Sequence, residues 1–202
     1  DRLKFERTKL HQFMIVMMNS GMRVEECMGL DWQDLNMIEV VNVSEKKRDY
    51  IDEIESHYVK VRIVNSKTGE REGIILGGGY FALQNLIKLY KENNIKITGN
   101  IWRNQKSFKE GLNNLLVESG LKHENRGDSR LTRDSKSFRH SFIQTMLDKK
   151  VTSTEIAKLL GTSTTMIDKH YTANMRFDNL IEVMNKVDRV KSTTKRHLRI
   201  VK

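Results

Sequence analysis

The chain has 202 residues, of which 38% are apolar, enough for one sizeable hydrophobic core or at most two small ones. Its formal net charge is +10, and such an excess favours a polyanionic partner, either nucleic acid or an anionic membrane surface. The longest apolar run covers residues 13–18, which is too short to span a bilayer, and no signal-peptide pattern precedes it. Membrane insertion is therefore excluded, and a soluble intracellular protein is predicted.

The cysteine and histidine content argues against two further kinds of site. The chain has one cysteine, Cys27, so no disulfide can form within it, which suits a reducing compartment. Cys27 lies on an apolar helical stripe, and we interpret it as a small core residue. The six histidines show no spacing typical of metal ligands. We therefore predict neither a metal site nor a cofactor.

Hydrophobic periodicity predicts two helices followed by three strands in the first part of the chain. Apolar residues at helical spacing predict an amphipathic helix over residues 3–19, which the segment NSG ends. A second, short helix carries Val24, Cys27 and Met28 on one face. Runs of β-branched residues separated by polar turns then predict a small antiparallel sheet with strands at 37–43, 58–64 and 72–76.

The remainder of the chain is predicted to be mostly helical. The pattern is helical again from residue 77, and further helices are predicted at 137–149, 153–160 and 164–171. The stretch 122–135 is so polar that a loop is predicted there. A last amphipathic segment runs from Phe177 to Val187 and is followed by a basic tail. The predicted fold class is therefore mainly α with a small three-stranded antiparallel sheet (α+β).

Two basic residues in the first half of the chain are candidates for phosphate chemistry. Arg23 stands in the turn before a short helix, with Glu26 three residues on. A carboxylate one turn away can hold the guanidinium fork, which suits bidentate phosphate binding, although for a single arginine a plain surface charge is the better explanation. Lys67 lies in the turn SKTG between two predicted strands. Taken alone, the sequence of this turn favours a solvated lysine over one whose ammonium group reaches a leaving group.

The second half of the chain offers a pair of cations and a tyrosine. Lys136 and Arg139 are one helical turn apart, so both can project from the same end of a helix and form a positive site. Asp134 can pair with one of them but hardly with both. Tyr171 follows the segment LLGTSTTMIDKH, and taken alone it is best explained as a buried structural tyrosine. The neighbouring His170 is given no role.

Together, these segments resemble the tyrosine recombinases, also called phage-type integrases. The resemblance rests on GMRVEE, SKTGER, KSFRHSF and LLGTSTTMIDKHY in this order, and it covers the chain from about residue 3 to 175. The spacing is its most specific part, since Arg139 precedes Gly161 by 22 residues and Tyr171 by 32. Each motif alone is weak evidence for the family, but the motifs in this order are strong evidence for it.

The resemblance assigns a role to five of these residues. It implies that Arg23 and Arg139 clamp the scissile phosphate and that Glu26 supports the first arginine. Lys67 matches the hairpin lysine that protonates the leaving 5′ oxygen. Tyr171 matches the nucleophile, which forms a covalent 3′-phosphotyrosyl intermediate without metal or ATP.

Three further positions match or depart from the family pattern. Lys136 stands where the family most often has histidine, and it keeps a positive charge and a hydrogen-bond donor. Thr162 stands where histidine or tryptophan is usual, and it keeps a donor but loses the bulk of a ring. His140 matches a histidine that is mainly structural. These departures concern the proton path and the rate, not the class of reaction.

The resemblance also implies partners, domains and location. Residues 1–175 would form the catalytic domain, and residues 176–202 a C-terminal helix and basic tail exchanged between protomers. A chain that starts at Asp1 would lack the N-terminal DNA-clamping domain of the family. The expected partner is double-stranded DNA, bound by a homo-oligomer, a tetramer on two sites, whereas the protein without DNA is a monomer. The expected location is the cytoplasm, at the nucleoid or, for a phage protein, in the host cell.

Two other interpretations compete with the recombinase. The stretch VTSTEIAKLLGTSTTMIDKHY resembles a helix-turn-helix, which would make the chain a non-catalytic DNA-binding module. This explains the positive charge but leaves Arg23, Lys67 and Arg139 unrelated. A type IB topoisomerase shares the tyrosine chemistry and would act as a monomer. Both alternatives bind DNA, so they differ from a recombinase only in the chemistry after DNA has bound.

Overall fold

The computed structural model describes residues 2–43, 53–64, 66, 69–103, 105–126 and 129–171. The chain divides into two compact units, Asp1–Ser163 and Thr164–Lys202. The second unit is described only over the helix α7 (Thr164–Tyr171). Within the described ranges, no helix has both the length and the apolar character needed to cross a membrane.

The first unit begins with helices, continues with a sheet and ends with helices, as predicted. Its helices are α1 (Arg2–Ser20), α2 (Val24–Met28), α3 (Gly77–Glu92), α4 (Lys109–Glu118), α5 (Lys136–Asp148) and α6 (Ser153–Leu160). Its strands are β1 (Leu35–Val43), β2 (Glu53–Ile63), β3 (Arg71–Ile75), β4 (His123–Arg126) and β5 (Ser129–Thr132). A short 3-10 turn, Trp32–Asp34, precedes β1.

Strands β1, β2 and β3 form the predicted three-stranded antiparallel sheet in chain order. Val59 and Val61 of β2 lie opposite Ile75 and Gly73 of β3, and all are buried. Because side chains alternate between the two faces of a strand, this register places one apolar face of the sheet against the core. The mainly α fold class with a small antiparallel sheet is therefore confirmed.

The core lies between α1, the sheet and α3, and two of its buried aromatic side chains donate hydrogen bonds to backbone carbonyls. The indole Nε1–H of Trp102 donates a hydrogen bond of 2.7 Å to the carbonyl of Cys27. The hydroxyl of Tyr90 donates one of 2.7 Å to the carbonyl of Ile101. Burial raises the pKa of the Cys27 thiol, so this residue stays neutral inside the core, as expected of a small core residue.

The loop predicted at 122–135 is wrong, because this stretch contains a β-hairpin. His123 pairs with Thr132, and Arg126 with Ser129, in antiparallel register. The strands carry few apolar residues and stay at the surface, so they show none of the alternation that marks a half-buried strand. Backbone pairing alone defines them, and that pairing leaves no hydrophobic pattern in the sequence.

A glycine joins the end of α1 to the helices that follow. Gly21 has φ of +61°, a left-handed conformation that the segment NSG predicted as the end of the helix. A Cβ placed on Gly21 would lie 2.4 Å from Cδ1 of Phe142 in α5 and 3.0 Å from Cδ2 of Leu160 in α6. The missing side chain therefore allows the end of α1 to approach both α5 and α6 closely.

Substituting Gly21 by alanine should therefore lower the free energy of unfolding by more than the left-handed backbone conformation alone accounts for. Gly120 is the matched control, since its φ is +70° and no atom lies within 4 Å of an added Cβ. We expect Gly120→Ala to lower the free energy of unfolding by about 1–2 kcal/mol. Gly21→Ala should lower it by roughly 1–3 kcal/mol more, because the new methyl group overlaps a phenyl ring. Urea unfolding measures both, and equal losses would contradict the close approach.

Candidate active site

Arg23 begins α2, and Glu26 holds it at two points. The backbone N–H of Arg23 donates to Oε2 of Glu26 at 2.9 Å, and its Nη1 donates to Oε1 at 2.8 Å. The carboxylate thus satisfies one of the unpaired amides at the helix start and also orients the guanidinium. The Glu26 side chain is 1% exposed and that of Arg23 is 26% exposed. Arg23 is therefore fixed from the inside and still reaches the surface.

Arg139 projects from the first half of α5, whose buried face carries Phe142, Ile143 and Met146. Its Nη1 donates to the carbonyl of Gly21 at 2.8 Å, and its Nη2 donates to the carbonyl of Leu160 at 3.2 Å. One guanidinium therefore ties together the ends of α1 and α6. Its acceptor at the end of α1, Gly21, lies two residues before Arg23 in the chain.

The end of α6 receives three arginines. Thr152 caps the start of this helix and exchanges hydrogen bonds with Glu155, and Gly161, with φ of 58°, caps its end. Its last carbonyl groups have no partner within the helix and form the negative end of the helix dipole. Three consecutive carbonyls accept from three guanidiniums, namely Leu159 from Arg71 at 2.6 Å, Leu160 from Arg139 at 3.2 Å and Gly161 from Arg23 at 3.2 Å.

The third of these, Arg71, was missed in the sequence. It is the first residue of β3, and its Nη2 donates to Oε2 of Glu26 at 2.9 Å, while its side chain is 11% exposed. A polar segment, TGEREG, surrounds it and suggests a solvated turn. The strand alternation would have found it, because Arg71, Gly73 and Ile75 share one face and Arg71 lies opposite the buried Ile63.

The charges of this cluster stabilise one another. Burial alone would raise the pKa of Glu26, but hydrogen bonds from Arg23 and the charges of Arg71 and Arg23 lower it below its ordinary value. Burial lowers the pKa of Arg71, and attraction to Glu26 opposes that effect. The guanidinium stays charged near neutral pH all the same. Glu26 is thus an ionised carboxylate between two guanidiniums.

The other predicted site residues have varied surroundings. Lys136 is exposed at the start of α5, and its backbone N–H donates to Oδ1 of Asp134 at 2.8 Å. Thr162 is half-buried directly after Gly161, and its backbone N–H donates to Ala157. His140 is exposed. The arrangement therefore joins Arg23, Glu26 and Arg139, and Thr162 directly follows Gly161, whose carbonyl accepts from Arg23.

The two remaining candidates are Lys67 and Tyr171. Strands β2 and β3 flank Lys67, as predicted, but Lys67 itself lies outside the described residues, and so does the tail 176–202. Tyr171 is the half-buried last residue of α7 in the second unit. Among the described residues, no group of three or more histidine, cysteine, aspartate or glutamate side chains is arranged to hold a metal ion.

The chain matches no protein-family model and no curated protein sequence. Solved structures do resemble it. The XerH site-specific recombinase bound to palindromic difH substrate has a TM-score of 0.60 and 16% identity, over 89% of this chain and 46% of that one. The Tn1549 transposon integrase in complex with transposon right end DNA has a TM-score of 0.57 and 18% identity, over 93% and 60%. XerA recombinase has a TM-score of 0.57 and 15% identity, over 90% and 57%.

The fold is that of a tyrosine recombinase catalytic domain. The resemblance seen in the sequence motifs is therefore confirmed at the level of the fold. The chain spans 46–60% of the length of these three recombinases. The catalytic roles of Arg23, Arg139, Lys67 and Tyr171 stay predictions.

The lowered pKa of Glu26 predicts how the stability of this recombinase-like fold depends on pH. A carboxyl whose pKa is lower in the folded state stabilises the protein above its unfolded pKa of about 4.3, and this contribution is lost as the pH falls through the folded value. Glu26→Gln removes it and leaves Arg71 buried without a countercharge. We expect the variant to lose about 3 kcal/mol of unfolding free energy at pH 7.

Urea unfolding of wild type and variant between pH 7 and pH 3 measures this difference, which should shrink at acid pH. Glu72→Gln is the control, because Glu72 of β3 also forms an ion pair, with Lys60 of β2, but is 71% exposed. It should lose less than about 1 kcal/mol at any pH. A Glu26→Gln deficit that does not change with pH would contradict an ionised, paired carboxylate.

Proposed function

We propose that this chain is the catalytic part of a site-specific DNA recombinase or integrase. It cleaves and rejoins DNA strands through a covalent 3′-phosphotyrosyl intermediate on Tyr171. The observation that carries the proposal is the convergence of Arg23 and Arg139 on adjacent carbonyls at the end of α6. The motifs assign both arginines to the phosphate, and their donation to adjacent carbonyls within a tyrosine recombinase-like fold supports that assignment.

The geometry suits a phosphodiester that is attacked in line. The transition state of such a reaction gathers negative charge on the non-bridging oxygens, and donors fixed beforehand stabilise that charge most effectively. Arg23 and Arg139 are each held by hydrogen bonds to backbone carbonyls, so little reorganisation is needed when the phosphate arrives. Two guanidiniums also supply the positive charge that a metal would otherwise provide, so the reaction needs neither metal nor ATP.

The other residues complete the proposed reaction. The phenolic oxygen of Tyr171 loses its proton to water, attacks phosphorus and forms the phosphotyrosyl bond while the bond to the 5′ oxygen breaks. Lys67 gives its proton to that leaving oxygen, and Lys136 and Thr162 donate hydrogen bonds to the phosphate. The 5′ hydroxyl of a partner strand then attacks the intermediate and releases the tyrosine. The phosphodiester bond energy is kept throughout.

Strand exchange requires paired DNA sites, which leads to a proposal on assembly. The protein is a monomer without DNA and forms a tetramer on two sites, in which residues 176–202 are exchanged between protomers. Solved relatives in complex with DNA support a DNA partner, and so does the net charge of +10. The protein would work in the cytoplasm, at the nucleoid or in the cell that a phage infects.

The recombinase explains more of the site than a helix-turn-helix module does. A helix-turn-helix module needs neither the Glu26–Arg23 pair nor the contacts of Arg139 with α1 and α6. A type IB topoisomerase needs the same cluster and differs only in acting on a single site. Covalent adduct formation separates the binding module from the two enzymes, and strand exchange between two sites separates the enzymes.

We expect covalent adducts on a nicked duplex of the cognate site, which traps the phosphotyrosyl intermediate. Tyr171→Phe should form none and should bind DNA as the wild type does. Arg23→Ala and Arg139→Ala should slow adduct formation by about 10²–10³-fold, as the loss of one transition-state donor does. Adducts are counted by gel after denaturation. Tyr58→Phe, a half-buried tyrosine of β2, is the matched control and should react normally.

Unimpaired cleavage by Tyr171→Phe would refute the assignment of the nucleophile. Cleavage at the wild-type rate by either arginine variant would refute the role of that arginine. Thermal unfolding of each variant is measured alongside, because Arg23 and Arg139 also join structural elements.

Lys67 is expected to act as the general acid, which predicts a selective rescue. Lys67→Ala should cleave an ordinary duplex more slowly than the wild type, by on the order of 10²-fold or more. A duplex with sulfur in place of the leaving 5′ oxygen needs no proton, so Lys67→Ala should cleave it at the wild-type rate. Rescue of Lys136→Ala in place of Lys67→Ala would assign the proton transfer to Lys136. Lys60→Ala, on the neighbouring strand, serves as the control and should be normal on both duplexes.

A further inference from the structure

The cluster at the end of α6 contains one arginine that the proposed reaction does not use. Arg71 is more deeply buried than Arg23, with 11% of its side chain exposed against 26%. Both of its contacts are internal, to Glu26 and to the carbonyl of Leu159. It therefore faces the groups that hold the proposed phosphate clamp, not the surface.

We propose that Arg71 is a positioning residue for the strand-cleavage reaction, which holds Glu26 and the end of α6 so that Arg23 and Arg139 keep their places. The expected effect on adduct formation rests on the proposed function. The expected effect on the positions of Arg23 and Arg139 rests only on the contacts of Arg71. The two consequences can be measured separately.

The first contact of Arg71 orients Arg23 through a shared carboxylate. Oε2 of Glu26 accepts from Nη2 of Arg71 and from the backbone N–H of Arg23, both at 2.9 Å. Oε1 of the same carboxylate accepts from Nη1 of Arg23 at 2.8 Å. Arg71 thus limits the rotation of the carboxylate about its last torsion, and that rotation would move the fork of Arg23.

The second contact fixes the receptor for both clamping arginines. Nη1 of Arg71 donates to the carbonyl of Leu159 at 2.6 Å, and the next two carbonyls hold Arg139 and Arg23. Consecutive carbonyls at a helix end cannot shift independently. A displacement of Leu159 would therefore move the acceptors of both arginines at once.

Only arginine can make both contacts from this position. Its planar fork presents two Nη groups in a fixed arrangement, whereas lysine offers a single ammonium that reaches one acceptor or the other. The strand places Arg71 opposite the buried Ile63, so the side chain enters from the core side of the sheet. Lysine would keep the charge beside Glu26 and lose the bridge.

The test compares Arg71→Met, Arg71→Lys, Glu26→Gln and the double variant Arg71→Met/Glu26→Gln in the full chain. We measure adduct formation on saturating nicked duplex, DNA affinity and thermal unfolding. Arg71→Met should slow adduct formation on the order of 10- to 100-fold, the usual consequence of misplaced groups, with DNA affinity within about threefold of the wild type. Arg71→Lys should fall between Arg71→Met and the wild type.

Two controls separate positioning from mere stability. Lys9→Met removes another buried cation, which is 4% exposed and pairs with Glu6 at 3.0 Å, outside the cluster. It should lower the unfolding temperature without slowing adduct formation. The double variant should lose less than the two single variants together, because both of them lose the shared contact between Arg71 and Glu26. If Arg71→Met does not fold, the comparison of Arg71→Lys with Lys9→Met decides.

An activity-independent measurement completes the test. Guanidinium Nη groups held by hydrogen bonds rotate slowly and give resolved ¹H–¹⁵N signals in NMR spectra. The signals of Arg23 and Arg139 should be resolved in the wild type and in Lys9→Met, and lost in Arg71→Met or Arg71→Lys.

Three results would overturn the role of Arg71. They are wild-type reaction rates in Arg71→Lys and Arg71→Met, effects that add in the double variant, and Nη signals that persist without Arg71. A wild type that forms no adduct refutes the proposed function instead. The Nη signals then still decide whether Arg71 positions the two arginines.

Discussion

The last carbonyl groups of an α-helix have no partners within the helix, and the site depends on how those of α6 are satisfied. Arg71, Arg139 and Arg23 donate to three of them in succession. Each arginine comes from a different element, β3, α5 and the start of α2, so one helix end fixes three parts of the first unit relative to one another. The negative end of the helix dipole makes this an appropriate place for cations, and Glu26 adds the one formal negative charge of the cluster.

The same contacts explain how positive charges can be held close together before a ligand binds. Guanidiniums crowded at one turn repel each other, and burial makes an unpaired charge costly. The carbonyls and the Glu26 carboxylate offset both effects, and Arg71 is more buried than Arg23. Arg23 keeps part of its surface exposed, so its charge stays available. A polyanion that binds here would meet donors that are already in position, which is the arrangement that favours a charged transition state.

The sequence predicted the parts of this site that depend on local spacing. Arg23 and Glu26 are three residues apart and meet across one helical turn, and the helix carrying Arg139 is predicted by its apolar face. Arg71 was missed because its partners, Glu26 and Leu159, lie 45 and 88 residues away in the chain. Backbone carbonyls also carry no residue identity, so the receptor at the end of α6 has no signature. The β4–β5 hairpin was missed for a related reason, since backbone pairing defines it without a buried face.

The division of the chain into two units falls just after this cluster, and that position bears on the proposed reaction. Every contact described for Arg23, Arg139 and Arg71 joins residues of the first unit, which ends at Ser163. Tyr171 belongs to the second unit. Cleavage and rejoining are one step run in two directions, so the groups that stabilise the phosphate must serve both. The tyrosine, by contrast, is bonded in one state and released in the other. The supports described for the two arginines lie in the first unit, so this part of the proposed clamp can stay unchanged through that cycle.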